Sequence, residues 1–413
     1  MAKNQSYLLL EYFGIELEYM IVDKDTLEVK NIADKLLADV NDGIVQSDFE
    51  NGNVTWSNEL AAHVVELKST TPDMAIFKYS KPFAENIRKI NRILSEFNCK
   101  LMGTAMHPFM NPQSDSDLWA HEDHEIYQAY NKIFNCKSHG WTNLQSTHLN
   151  ISFSGDHEFS QLHCAIRLIL PLLPAISASS PVMDGIYTGF ADNRLEVYQN
   201  NQHIIPSIAG DIIPEDIHTE FEYNELILKK IKNDIYPYDK EGILNPYFLN
   251  SRGAIARFDR GSIEIRLLDV QEAPIADLAI LELIVATIKM AVAGKLIDTS
   301  IKIDSKKLKK ILFDAAKDAE NAMIIDQEYL ALFNISEKSY KAGELWRHIF
   351  NTVRKEGNVY LSEGSEEILD KILKRGTLST VIIQKLGKDF SKDQLIAIYN
   401  DLSNSLEKNQ IFS

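Results

Sequence analysis

The chain has 413 residues, 45% hydrophobic and 25% charged, the balance of an ordinary soluble globular protein long enough for two or three domains or one large α+β unit. Its formal net charge of −16 argues against sequence-independent nucleic-acid binding, which needs clustered Lys and Arg, but says nothing against a nucleotide held through metal ions. Three cysteines (Cys99, Cys136 and Cys164) form no CxxC pair, and no charged-then-apolar leader opens the chain, so a disulfide framework and a structural zinc site are not expected and a cytoplasmic setting is.

Residues 7–23 read as a first strand, with clear alternation from Gly14 onward. A helix is expected over 31–41. A hairpin follows around Asn51-Gly52-Asn53, then a strand over Ala62–Ser69 that ends at Thr71-Pro72. Met74–Phe97 has helical spacing, and Lys100–Ala105 is a short strand leading to His107-Pro108-Phe109. Residues 113–135 read as loop then helix, and 147–153 alternates again. Gln161–Ser179 reads as an apolar helix carrying Pro171 and Pro174, followed by a Gly-containing loop to about residue 216 and a helix over 220–233. Arg252–Phe258 and Ser262–Asp269 form a hairpin around Asp259-Arg260-Gly261. Ile275–Leu296 is a long core helix; Asp277, Glu282 and Lys289 argue against a membrane span. Beyond about 303 all remaining segments read as helices: Ser305–Asp318, a stretch near 323–334, Lys341–Glu356, Ser365–Lys374 and Ser391–Lys408.

Three of the strands share an unusual pattern. Gly14-Ile15-Glu16-Leu17-Glu18, Val65-Glu66-Leu67-Lys68 and Ile263-Glu264-Ile265-Arg266-Leu267 place charged groups mid-strand between apolar neighbours. Residues two apart share a strand face, so Glu16 goes with Glu18, Glu66 with Lys68, Glu264 with Arg266, and His148 with Asn150 and Ser152. Hairpin signals and alternation argue for an antiparallel or mixed sheet, apolar and helix-covered on one face and polar on the other. Neither GxGxxG after a strand nor GxxxxGK[ST] occurs, so a nucleotide used here would be held by metals and arginines.

Glu16, Glu18, Glu66 and Glu264 are candidate ligands for Mg²⁺, with Mn²⁺ as a second option, because hard cations prefer carboxylate oxygens and leave room for substrate phosphates. A solvated strand face is the alternative for each taken alone, and an ion pair for Glu264 with Arg266. His148 reads as a metal ligand or phosphate contact, and Lys68, Asn150 and Ser152 share its polar face. Arg194, Arg252, Arg257, Arg260 and Arg266 offer phosphate-binding forks, although a solvated surface position is the simpler reading of any one. His121-Glu122-Asp123-His124-Glu125 reads as an exposed acidic turn rather than a metal cluster. Ser177 to Pro181 lacks a GxSxG elbow, and no signature marks a thiol nucleophile, so no protein nucleophile is expected. Paired carboxylates also suit glycoside hydrolysis, but only four Trp occur and no aromatic cluster flanks the carboxylate strands.

Several of these segments, in order over about residues 12–295, resemble the glutamate–cysteine ligase type 2 group of carboxylate–amine ligases within the glutamine-synthetase-like superfamily. Gly14 to Glu18 is similar to its GxExE opening, and His107-Pro108-Phe109 to its HPF turn. Pro174 to Pro181 with Gly185, Thr188-Gly189-Phe190 and Arg194 matches PxxALSASSPxxxGxxTGYxxxR, and Ile263 to Gln271 matches IExRxxDxQ.

The resemblance implies a curved, mainly antiparallel sheet forming a funnel-shaped site, with a catalytic domain over 1–300 and a helical region over 301–413 packed on it. It implies ATP and Mg²⁺ entering from one side and a small carboxylate substrate from the other. Glu16, Glu18, Glu66 and Glu264 would be metal ligands, and Arg266 and Arg194 the transfer-site arginines. His148, Asn150, Ser152, Lys68 and, more loosely, Arg257 would contact the nucleotide. The activity implied is joining of a glutamate-like carboxylate to cysteine or another amine through an acyl phosphate; a small-molecule phosphotransferase or a non-catalytic nucleotide-binding regulator is the runner-up. Partners implied are small molecules, with no nucleic acid or membrane, and a homo-oligomer is compatible. One departure stands out: family members carry His-x-His where this chain has His148-Leu149-Asn150, which bears on amine specificity and one metal position.

Overall fold

The computed structural model describes residues 7–356 and 361–413; the first six residues, part of the stretch read above for a leader, lie outside it. Eight strands form the central sheet: β1 (Phe13–Asp23), β2 (Asp48–Asn51), β3 (Val54–Asn58), β4 (Val64–Ser69), β5 (Cys99–Met102), β6 (Ser146–Ser152), β7 (Ala254–Arg257) and β8 (Ser262–Asp269). Their order is β2-β3-β4-β1-β6-β8-β7, with β5 also paired to β1, and every pairing is antiparallel. The expected α+β architecture with a mainly antiparallel sheet is what the chain adopts.

Alternation assigns the faces. Ile15, Leu17 and Tyr19 of β1, Leu67 of β4, Leu149 of β6 and Ile263 of β8 point into one large core that the Ser80–Leu94, Gly155–Ile169 and Pro274–Val292 helices cover. The last is buried on nearly every side, as its largely apolar composition requires. No helix among the described residues is long and apolar enough to cross a membrane. The opposite face is divided. Glu16 and Glu18 make it polar at the start of β1. Farther along, Met20 and Val22 join Val64 and Met102 in a second apolar cluster, covered by the Leu378–Leu386 and Lys392–Lys408 helices through Leu378, Ile382, Leu395, Tyr399 and Leu402.

Several boundaries move for identifiable reasons. The first strand starts at Phe13 rather than at residue 7. The expected Gln161–Ser179 helix runs from Gly155 to Ile169 and then breaks into a 3₁₀ turn at Leu170–Leu172 and one helical turn at Pro174–Ser177, because Pro171 and Pro174 cannot donate to a continuing ladder. The 220–233 helix contains a π turn at Asn224–Leu228. Within the expected Gly-containing loop lie a short helix, Asn193–Tyr198, and a two-stranded ribbon of Val182–Met183 with Ile186–Tyr187, and the Leu378–Leu386 helix was not anticipated.

Candidate active site

Strand register brings the mid-strand charges together. On β1, Glu16 stands opposite Lys68 of β4 and His148 of β6, and Glu18 opposite Glu66. On β8, Glu264 stands opposite Asn150. Gly14, the first residue of the GxExE pattern, is opposite Asn150 too, and a Cβ there would lie 3.2 Å from the Asn150 Cβ, close enough to push that side chain by a few tenths of an ångström. Between Ile265 and Leu268 the β8–β6 register shifts by one residue; such a bulge re-aims side chains, and here the Arg266 Nε donates to Glu264 Oε1 at 3.0 Å.

The carboxylates line a cavity of about 690 Å³ together with Glu59, Lys68, His148, Arg194, Arg257, Arg260 and Arg266. Asn150 and Ser152 do not line it. They face an adjoining cavity of about 270 Å³ that shares Glu16, Lys68 and Arg260 with the first. Asn150 Nδ2 donates to Glu16 Oε1 at 3.0 Å, so the amide that stands where the family has a second histidine orients a carboxylate. The Ser152 hydroxyl is engaged by the backbone before β1: it donates to Leu8 O and accepts from the Tyr12 and Glu11 amides.

Most of these charged groups have a defined partner. Glu18 Oε2 accepts from the Ser146 amide at 2.7 Å and its hydroxyl at 3.0 Å. His148 bridges Glu16 Oε2 (2.8 Å from Nδ1) and the Ser146 hydroxyl (2.8 Å from Nε2). Burial alone would lower the His148 pKa, but its hydrogen bond to Glu16 and the charges of Glu18 and Glu16 outweigh that and raise it to about 9. Burial would likewise raise Glu264, yet the Arg266 and His148 charges hold it down at about 2. Lys68 Nζ lies 3.1 Å from Asp48 and 3.5 Å from Glu66. Arg257 pairs through Nε and Nη2 with both oxygens of Asp259 (3.1 and 2.9 Å).

Two triads fit a divalent cation: Glu16, Glu66 and His148, and Glu18, Glu59 and Glu66, each offering ligand atoms within 4.8 Å of one another. Two of these carboxylates, Glu66 and Glu59, register the crowding. Glu66 is raised well above the ordinary carboxylate range by burial and then by Glu16 and Glu59, and Glu59 is raised to about 7 by burial and then by Glu18. A cation would relieve that repulsion. Glu59 escapes a pattern-based reading because it lies just past the end of β3, outside any alternating segment.

The Ser177–Pro181 turn and the residues that follow Arg266 prove to be scaffolding for Arg194. Asp269 Oδ2 accepts from the Ser179 amide and the Ser180 hydroxyl (both 2.8 Å), Asp269 Oδ1 accepts from Arg194 Nε at 2.6 Å, and Gln271 Nε2 donates to Ser177 O at 2.6 Å. The Ser-rich turn, the Arg194 helix and the end of β8 are thereby one locked unit, with Arg194 buried and its Nη2 without a hydrogen-bond partner among the described residues. His107 is equally structural: it bonds Leu27 O through Nε2 and accepts from the Met110 amide, and burial lowers its pKa to about 4.

Two expectations are corrected. Arg252 is not a surface arginine: it is buried, with Nε and Nη2 on the two oxygens of Glu215 at 2.6 and 2.7 Å, and it lies outside the cavity lining. Nor do the carboxylates lack aromatic neighbours, since Tyr130, Trp141, Tyr198 and Phe248 line the same cavity. Those rings come from widely separated segments, so nothing near the carboxylate strands in sequence announces them. The His121–Glu125 stretch is an exposed turn opening the His124–Phe134 helix, with His121 3.4 Å from Asp34.

A model of the family described as Glutamate-cysteine ligase family 2 matches residues 12–326, which carries the motif resemblance 31 residues beyond 295. An uncharacterized protein of Archaeoglobus fulgidus is 29% identical over 410 residues, covering 97% of this chain and 99% of that one. A putative glutamate–cysteine ligase 2 of Enterobacter sp. is 24% identical, covering 62% of this chain and 61% of its own length. A putative glutamate–cysteine ligase 2-1 of Mycolicibacterium vanbaalenii is 26% identical over 45% of each. The matches therefore span about half of the named ligases. In fold, the chain is similar to a glutamate–cysteine ligase of Francisella tularensis solved in complex with AMP (TM-score 0.61, 12% identity, 97% of this chain and 90% of that one).

Proposed function

We propose that the chain, which belongs to glutamate-cysteine ligase family 2, is an ATP-dependent ligase that joins a glutamate-like carboxylate to an amine through an acyl phosphate. The observation that carries this reading is the convergence of Glu16, Glu18, Glu59, Glu66 and Glu264 with Arg194, Arg257 and Arg266 in one cavity. A carboxylate is a poor acyl donor because attack would have to expel oxide. Transfer of the ATP γ-phosphoryl group to a carboxylate oxygen makes phosphate the leaving group. Divalent cations, which the Glu16–Glu66–His148 and Glu18–Glu59–Glu66 groups would hold, would offset the charge developing during that transfer.

The chain's own groups account for the remaining steps. His148 and Ser146 fix the rotamers of Glu16 and Glu18, so the ligand oxygens are preorganised. Arg266, held by Glu264, and Arg194, held by Asp269, supply guanidinium groups where charge grows on the transferred phosphoryl. Lys68 lines both adjoining cavities, Asn150 and Ser152 line the smaller and Arg257 the larger, in keeping with a nucleotide spanning them. A neutral amine then attacks the carbonyl carbon. The C–N bond forms, the C–O bond breaks, phosphate leaves with that electron pair, and the proton shed by nitrogen goes to water. No protein nucleophile is required.

The test is ADP release by the purified protein with Mg²⁺, ATP, glutamate and a panel of amines. Release that needs both acid and amine is the expected result; release with acid alone would mark a phosphotransferase, and none under any condition would mark a regulator. Glu264→Gln should lower turnover about 100-fold or more while circular dichroism stays unchanged.

A further inference from the structure

Part of the active-site wall is built from aromatic rings; both tyrosine hydroxyls on it are engaged, while the Trp141 Nε1 has no hydrogen-bond partner among the described residues. Tyr130, Trp141 and Tyr198 line the cavity, with Phe248 exposed at its rim. The Tyr130 hydroxyl donates to Phe248 O at 3.2 Å and the Tyr198 hydroxyl to Ser251 O at 2.9 Å. Both tyrosines therefore offer the cavity ring surface more than hydrogen bonds. Trp141 is backed by Phe134, centroids 5.5 Å apart with 25° between planes, and meets Tyr130 at 5.5 Å. Phe248 carries the Arg257 guanidinium 5.2 Å from its ring centroid. Rings braced in this way give contact area at little conformational cost and favour a partner ring at an offset or an edge.

Strands of the sheet carry Glu16, Glu18, Glu66, Glu264, Arg257 and Arg266; the rings come from the 124–142, 193–202 and 246–249 segments, the second of which also carries Arg194. On the ligase reading, on which this inference rests, phosphates and the reacting carboxylate occupy the charged side, which leaves the ring side for the amine. We infer that the amine substrate carries an aromatic ring, as an arylalkylamine or an aromatic amino acid, rather than being cysteine. Cysteine's side chain is one methylene and one sulfur; it would leave most of this wall facing water and presents no planar surface to it.

The experiment compares amines under identical Mg²⁺, ATP and glutamate. Hydroxylamine intercepts an acyl phosphate without needing a side-chain pocket, so hydroxamate formation reports the ligase chemistry independently of amine choice. Phenethylamine, tyramine and phenylalanine are then set against cysteine and hexylamine. An aromatic amine should exceed cysteine and hexylamine in kcat/KM by about tenfold. Phe248→Ala, at an exposed position where folding is not at risk, should cut the phenethylamine-to-hydroxylamine ratio of kcat/KM about fivefold. Hydroxamate formation with cysteine or hexylamine preferred overturns the inference and leaves the ligase reading standing. A Phe248→Ala variant that weakens ATP but not amine also overturns it, by giving the wall to the nucleotide. No hydroxamate with any carboxylate removes the ligase reading, and this inference falls with it.

Discussion

Glu59 is a third carboxylate brought to a place where Glu18 and Glu66 already repel one another, and that crowding has a measurable signature. Its pKa is raised to about 7 from an ordinary 4.5, by burial first and the Glu18 charge second. The folded chain thus keeps a proton that the unfolded chain releases between about pH 4.5 and 7. Stability falls as pH rises through that window, and the penalty is fully present above pH 7. Without divalent cations, Glu59→Gln should therefore melt higher than the parent at pH 8, by about 1–2 kcal/mol after discounting for solvent at this half-buried site. At pH 5 the difference should shrink, and added Mg²⁺ should stabilise the parent more than the variant. Thermal melts at both pH values, with EDTA and with Mg²⁺, decide it; a variant that Mg²⁺ stabilises as much as the parent would remove Glu59 from the ligand set. Glu16, Glu18, Glu66 and Glu264 could be picked from the sequence because mid-strand charge between apolar neighbours is unusual. Glu59 could not, since a loop glutamate in an acidic chain is indistinguishable from a solvated one.

At the scale of elements, β6 works on both of its faces. Ser146 and His148 orient the carboxylates on one side. Thr147 points the other way, where its hydroxyl donates to Asp277 Oδ1 at 2.6 Å inside the Pro274–Val292 helix, and the Gln271 amide donates to the same oxygen at 3.0 Å. Burial pushes the Asp277 carboxyl up to about 8 despite those two hydrogen bonds, and its Oδ2 has no partner. The folded chain holds a proton here that the unfolded chain gives up near pH 4, so stability declines as pH rises from about 4 to 8. Asp277→Asn keeps the acceptor and removes the titration. It should flatten that decline and equal or exceed the parent at pH 8, whereas Asp277→Ala strands the Thr147 hydroxyl and the Gln271 amide at a cost of about 1–3 kcal/mol. Urea unfolding at pH 5 and pH 8 separates the three. Alternation made β1, β4, β6 and β8 legible as strands and assigned their faces correctly. It could not give the order that inserts β1 between β4 and β6, because pairing depends on which apolar faces the intervening helices can cover. Nor could it give the bulge after Ile265, which is a local mismatch between two strands rather than a property of one.

Taken whole, the molecule uses its last helices to finish the sheet that carries the site. Met20 and Val22 continue the strand face that bears Glu16 and Glu18, and they are dry only because Leu378, Ile382, Leu395, Tyr399 and Leu402 cover them. The tail is tied down by polar contacts as well: Arg375 Nη2 lies 2.6 Å from Glu272, and the Phe412 amide donates to the same carboxylate at 3.0 Å. Glu272 directly follows Gln271, whose amide side chain pins the Ser177 turn, so the tail is two residues' reach from the scaffold of Arg194. Burying an apolar side chain contributes roughly 1.5–3 kcal/mol. The cover supplied by five such residues is then comparable with a typical domain's entire stability of about 5–15 kcal/mol. Residues 1–375 alone should accordingly fail to give a cooperatively folded, nucleotide-binding protein. A gentler probe avoids the ambiguity of an unfolded fragment: Leu402→Ala in the full chain should lower the unfolding free energy by about 2–5 kcal/mol in urea titrations, and a truncated chain that unfolds cooperatively with parental stability would show that these helices form a separate unit.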